Sequence, residues 1–170
     1  MKPLSLAGAL LLAISLATPV VGDSQPRSRF VLTSPAFRGG GTIPRAYTCD
    51  GADTIVPLRW SSPPRGTRSF ALLVEDPDAY YGAFTHRLAW AIPDAARSLV
   101  GAAPREGTTS AGRVGWVAPC PPSDTHHYVF RLYALRAPLR LGAGAERTAF
   151  LAALKGKVLG TATLVGRYGR

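Results

Sequence analysis

The stretch Ser69-Phe-Ala-Leu-Leu-Val-Glu75, closed by Asp76-Pro77-Asp78, decides the fold class. It is short, almost wholly apolar and preceded by a turn signal, Pro63-Pro64-Arg65-Gly66. Such a run reads as a strand buried on both faces. It stops at Pro77, which has no N–H to give to a ladder. Two further strands are expected at Phe84 to Ile92, ended by Pro93, and at Tyr128 to Arg136. In the latter, Tyr128, Phe130, Leu132 and Ala134 fall on one face and Val129, Arg131, Tyr133 and Leu135 on the other. Both faces carry apolar groups, so this strand is also central.

Working outward, Phe30 to Ser34 reads as a first strand ended by Pro35, and Leu58-Arg59-Trp60 as a short fragment. Gly39 to Gly51 is too rich in Gly, Pro and Asp for regular structure. One helix is expected over Glu146 to Lys155, with Ala149, Phe150, Ala153 and Leu154 at helical spacing. Glu146 stands in its first turn, and Gly156 suits the position just past its end. Lys157 to Val165 returns as a last strand. Strands first and a helix late give a mostly β chain with one or two helices.

The chain has 170 residues. Its head, Met1-Lys2 and then an uncharged apolar run from Leu4 to Val21, has the layout of a secretory signal peptide. Small residues at Val20 and Gly22 suit cleavage after Gly22. A membrane anchor is the competing reading, because the run approaches the ~20 residues that span a bilayer. Cleavage leaves residues 23–170 as one domain with no further run able to span a membrane. The product is expected to be exported, periplasmic or secreted. The two cysteines, Cys49 and Cys120, then meet an oxidising compartment and are expected to bridge, two buried thiols being the alternative.

Twenty Lys and Arg stand against ten Asp and Glu, a formal charge of +10. That favours anionic partners. The basic residues are scattered singly, with no basic run or helix, so nucleic acid is not expected as a partner.

Chemistry-bearing residues gather at three places. Asp76-Pro77-Asp78 presents two carboxylates at a strand end, although Asp and Pro are also ordinary turn residues. His86 lies inside the second strand, where Phe84, His86, Leu88 and Trp90 share a side by period two. An imidazole in that apolar file needs a polar partner, which a satisfied core histidine would also have. Trp116 to Tyr128 is a proline-rich loop leading into His126-His127-Tyr128. Of the two histidines only His126 can share a face with Tyr128. No pair here has a usual zinc spacing, and no metal is expected. There is no G-x-S-x-G, P-loop or dinucleotide motif, so no enzyme and no cofactor are expected.

Together these pieces resemble the phosphatidylethanolamine-binding protein family, in its bacterial Raf-kinase-inhibitor-like branch. The resemblance is carried by Tyr47-Thr-Cys-Asp-Gly51, Pro57-Leu-Arg-Trp60, Gly66-Thr-Arg-Ser-Phe-Ala71, Asp76-Pro-Asp-Ala79, Phe84-Thr-His86, Pro119-Cys-Pro-Pro122 and His126-His-Tyr-Val-Phe130. It runs from Ser34 to Tyr168. It implies a large central antiparallel sheet, a smaller sheet packed on it and a C-terminal helix. It also implies a shallow pocket for phosphate, other small anions or phospholipid head groups. Carried over by motif, Asp76, Asp78, His86, His126 and Tyr128 form that pocket, with Trp116 and Pro119 as its wall. Imidazolium and phenol can donate to phosphate oxygens, while a carboxylate accepts from ammonium or orients an imidazole.

The chain departs from the family pattern at Tyr80, where Pro is usual, at Arg87, where an aromatic is usual, and at Ile55-Val56. Trp116 replaces a Tyr and Asp124 a Gly. By period two Arg87 is expected to point away from His86. A protein-interaction or protease-inhibitor role and a weak His/Asp hydrolase are the alternative readings to a binding protein.

Overall fold

The computed structural model describes residues 29–170, so the expected signal peptide at 1–22 lies outside the described residues. Strands β1 (Val31–Thr33) and β2 (Arg59–Ser61) form a small antiparallel sheet. Strands β3 (Ser69–Asp76), β4 (Phe84–Pro93), β5 (Arg105–Glu106), β6 (Thr125–Leu135) and β7 (Val158–Gly169) form the large one. Its order is β5-β4-β3-β6-β7, every pairing antiparallel. Helix α1 (Arg147–Leu154) precedes β7. The chain is thus mostly β, with two antiparallel sheets and one helix among the described residues.

The apolar run at 69–76 takes the middle of the sheet because every one of its residues is buried. Its two faces feed two cores. Phe70, Leu72 and Val74 pack with Tyr128, Phe130 and Leu132 of β6 against Leu32 and Trp60 of the small sheet. Ala71 and Leu73 pack with Leu88, Trp90 and Leu135 against Phe150 and Leu154 of α1. The layers run small sheet, large sheet, helix, each buried apolar side chain contributing about 1.5–3 kcal/mol relative to exposure. β6 alternates as its sequence dictates, with Tyr128, Phe130, Leu132 and Ala134 all in the first core.

Strand β4 does not alternate throughout. Its pairing with β3 slips twice, between Val74 and Glu75 and between Phe70 and Leu72. Glu75 faces Thr85 and Val74 faces Arg87, leaving His86 as the extra residue of a bulge. His86 therefore leaves the face of Leu88 and Trp90, which lie in the helix-side core, and stacks on Tyr128 of the opposite core. The period-two expectation for β4 fails here because one inserted residue reverses every side chain beyond it. It fails for Arg87 too. Paired with Val74, Arg87 reaches Glu106, which itself opposes Ala89 of the small-sheet core, so it shares that side with His86. The second slip passes through Ala91, held at a φ of 59°.

The remaining differences are at element ends. β6 starts at Thr125 and β7 runs on to Gly169, both longer than their apolar cores, because the two strands pair along their whole length. Glu146 stands at the N-cap position, just outside the first turn of α1, and its side chain makes no capping bond. β5 is two residues long, too short to leave a periodic signal. The Gly-rich segment is irregular except for one 3-10 turn at Arg45–Tyr47. It crosses β7 at Gly166, where any Cβ would meet Ile43 at 2.6 Å. Cys49 and Cys120 are bridged, tying this segment to the 116–122 loop.

Candidate functional site

The end of β3, the bulge of β4 and the start of β6 meet at one edge of the large sheet, beside the 116–122 loop. They enclose a cavity of about 330 Å³. Asp76, His86, His126 and Tyr128 line its inner end, and Phe84, Tyr80, Tyr81, Pro121, Pro122 and Cys120 line its walls and mouth. Residues 50 apart in sequence are brought together because β3 and β6 are antiparallel neighbours.

Each histidine has one nitrogen committed. His86 Nδ1 lies 2.8 Å from the Val117 carbonyl, which can only accept, so Nδ1 carries a proton. His126 Nδ1 lies 2.6 Å from Asp76 Oδ2 and donates to it. Asp76 is itself oriented by the Asp78 amide, which donates to its Oδ1 at 2.8 Å. These contacts leave Nε2 of both rings for a ligand. His86 is 4% exposed, and that burial pulls its pKa below the usual imidazole value, the Val117 contact opposing. Its ring sits 5.1 Å from that of Tyr128, edge to face, and 4.8 Å from that of Phe84.

The Tyr128 hydroxyl is buried and donates its proton to no protein group, the Cys120 backbone approaching it only weakly. Burial pushes its phenol well above the ordinary value, with the Asp76 carboxylate adding and the Cys120 backbone opposing. The phenol stays protonated at any working pH and keeps an unused donor on a residue that lines the cavity. An orphaned buried hydroxyl costs about 1–3 kcal/mol, so a site that retains one calls for an explanation.

Asp78, Trp116 and Pro119 stand elsewhere. Asp78 turns from the cavity to accept from the backbone N–H and Nδ1 of His127, each at 2.7 Å. Those two bonds hold its carboxyl below the usual range. Trp116 lies behind His86, ring centres 6.5 Å apart. Pro119 is buried, and its carbonyl accepts from the Cys49 amide at 3.1 Å. The loop that carries Trp116 and Pro119 still supplies the wall, through Val117, Ala118 and Cys120 to Pro122. Tyr80 and Tyr81 join the lining although the family motif does not assign them to the pocket. Their signal was two aromatics in a turn, where exposure wastes apolar surface unless something binds.

Among the described residues no cluster of three or more His, Cys, Asp or Glu could hold a metal ion, and no helix is long and apolar enough to cross a membrane. The motif departures have local accounts. Asp124 occupies a left-handed position, φ 58°, that favours Gly and that Asp tolerates better than most residues. Arg87 is paired with Glu106 beneath the sheet edge.

Comparison with known proteins bears on the whole domain. A family model described as phosphatidylethanolamine-binding protein matches residues 33–169. A UPF0098 protein of Methanothermobacter thermautotrophicus is 41% identical over 150 residues, covering 82% of this chain and 98% of the relative. A Mycobacterium tuberculosis protein named as a lipoprotein, LppC, is 39% identical over 143 residues, 81% of this chain and 71% of that one. The crystal structure of CT736, a phosphatidylethanolamine-binding protein homologue of Chlamydia trachomatis, superposes with a TM-score of 0.80 at 34% identity, covering 83% of this chain and 97% of that one. That of Escherichia coli YbcL, described as a member of the mammalian family, gives 0.77 at 26% identity over 84% and 99%. With the family model matched over residues 33–169 and both solved structures superposing over the domain, the chain belongs to the phosphatidylethanolamine-binding protein family.

Proposed function

We propose that the cavity binds phosphate and like anions, among them phospholipid head groups, and that the chain is an exported binding protein rather than an enzyme. One observation carries the reading: two imidazoles, each with its Nδ1 already held, and a phenol whose O–H donates to no protein group line a single cavity. A phosphate can accept from Tyr128 and from either imidazolium, and its own O–H can donate to a neutral His86. Charge-assisted bonds of this kind contribute about 1.5–3 kcal/mol each.

A non-enzymatic role is supported by the lack of a serine, threonine or free cysteine nucleophile among the cavity-lining residues. Export is supported by the apolar head at 4–21, by the disulfide and by the lipoprotein relative.

The test is calorimetric titration of inorganic phosphate into the wild type, His86→Ala, His126→Ala and His127→Ala. The first two variants should weaken binding about tenfold or more, roughly 1.4 kcal/mol, and the third should not. Equal affinity in all four proteins would remove the site. Turnover of phosphoesters that disappears in His86→Ala would overturn the non-enzymatic assignment.

A further inference from the structure

The disulfide joins two exposed residues, Cys49 and Cys120, and Cys120 also lines the cavity. Exposed disulfides are the ones open to exchange with free thiols. The two sulfur atoms stand in different surroundings. Arg170 donates from Nη2 to Cys49 Sγ at 3.1 Å. Asp50 orients that guanidinium, accepting from Nη2 at 2.7 Å and from Nε at 3.0 Å. Nη2 carries two hydrogens, so both of its contacts are made at once. Arg45 donates from Nε to the Asp50 carbonyl at 2.5 Å, so two guanidinium groups stand against one carboxylate beside Cys49. Cys120, flanked by Pro119 and Pro121, has no such donor on its sulfur among the described residues.

A guanidinium beside a sulfur stabilises its thiolate, and the better-stabilised thiolate is the better leaving group. We infer that Cys120 is a thiol-exchange site, which takes a low-molecular-weight thiol as a mixed disulfide while Cys49 departs as a thiolate held by Arg170. The thiolate of the small thiol attacks Cys120 Sγ. A new S–S bond forms as the Cys49–Cys120 bond breaks, and the electron pair of the broken bond leaves on Cys49. One disulfide replaces another, so the step involves no net oxidation. It reverses when the Cys49 thiolate attacks Cys120 Sγ and expels the small thiolate.

Contacts besides the bridge keep that return open. The Cys49 amide donates to the Pro119 carbonyl at 3.1 Å, and Asp50 accepts from the Tyr168 hydroxyl at 2.6 Å. The adduct stands on a residue of the cavity wall. Its formation requires no anion in the cavity, so it is independent of the binding function proposed above.

The experiment incubates the oxidised chain, and its Arg170→Gln and Arg170→Lys variants, with excess reduced glutathione. Samples are quenched in acid, free thiols are alkylated, and both labels are mapped by peptide mass spectrometry. Arg170 is exposed, so neither variant disturbs a core. In wild type, glutathione on Cys120 with alkylated Cys49 should exceed the reverse pattern by about threefold to tenfold, the gain from a modestly lowered leaving-group pKa. Arg170→Gln should bring that ratio toward one and slow adduct formation by a similar factor. Arg170→Lys, which keeps the charge, should retain the bias. A folded chain that forms no adduct, a preference for Cys49, or the wild-type ratio persisting in Arg170→Gln overturns the inference.

Discussion

Tyr128→Phe removes one oxygen atom and separates folding from function. The hydroxyl is buried with an unused donor and only the weak approach of the Cys120 backbone, so the empty protein bears most of its desolvation cost. Removing it should stabilise the empty protein by about 1–2 kcal/mol, the lower part of the range for an unsatisfied polar group. For a domain of this size that raises the melting temperature by about 3–8 °C. The same change removes a donor to the ligand and should weaken phosphate binding about tenfold. Phosphate at a hundred times the wild-type Kd stabilises wild type by about 2.7 kcal/mol but the variant by only about 1.4, so the two melting curves draw together as phosphate is added. Urea and thermal unfolding with and without phosphate would read this directly. A variant destabilised by 1 kcal/mol or more without ligand, or one binding phosphate like wild type, refutes the reasoning.

Three further outcomes are expected. Because His86 titrates lower in the folded chain than the 6.5 of an unfolded imidazole, the unfolded state binds the extra proton first. Stability should be intact above about pH 6.5 and fall as pH drops from there toward the folded value. Phosphate should offset the loss by favouring the imidazolium, and His86→Ala should flatten the slope of urea midpoints; an unchanged slope would exclude this group. Reducing the bridge between Cys49 and Cys120, which spans 71 residues, should cost about 4 kcal/mol in the chain-entropy account and loosen the Cys120 wall. A urea midpoint equivalent to under 1 kcal/mol with unaltered phosphate affinity would contradict that. At Asp124, φ 58°, Asp124→Gly should hold or raise stability while Asp124→Ala lowers it by about 1 kcal/mol; equal melting temperatures would show that the backbone there carries no strain.

Much of this molecule is legible in its residues. The central strands announce themselves because burial on both faces demands unbroken apolar runs, as at Phe70 to Val74. His126 and Tyr128 share a face by simple alternation, and both line the cavity. What alternation could not convey is the bulge at His86. Nothing local in Thr85-His86-Arg87 distinguishes an inserted residue from a regular one, since the slip is set by where β3 and β4 must both pack. The outward turn of Asp78 is hidden for a related reason. Two carboxylates either side of a proline look equivalent in sequence, yet the turn sends one inward to His126 and the other outward to His127. The aromatic lip at Tyr80 and Tyr81 lies in a turn that carries no periodicity, so only its wasted apolar exposure marks it.

A crystal of the chain soaked in phosphate would test the central claim most directly. The anion should lie in the cavity between His86 and His126, with oxygen atoms about 2.6–3.0 Å from both Nε2 atoms and the Tyr128 hydroxyl. An empty cavity, with phosphate bound only to the scattered surface arginines, would contradict it.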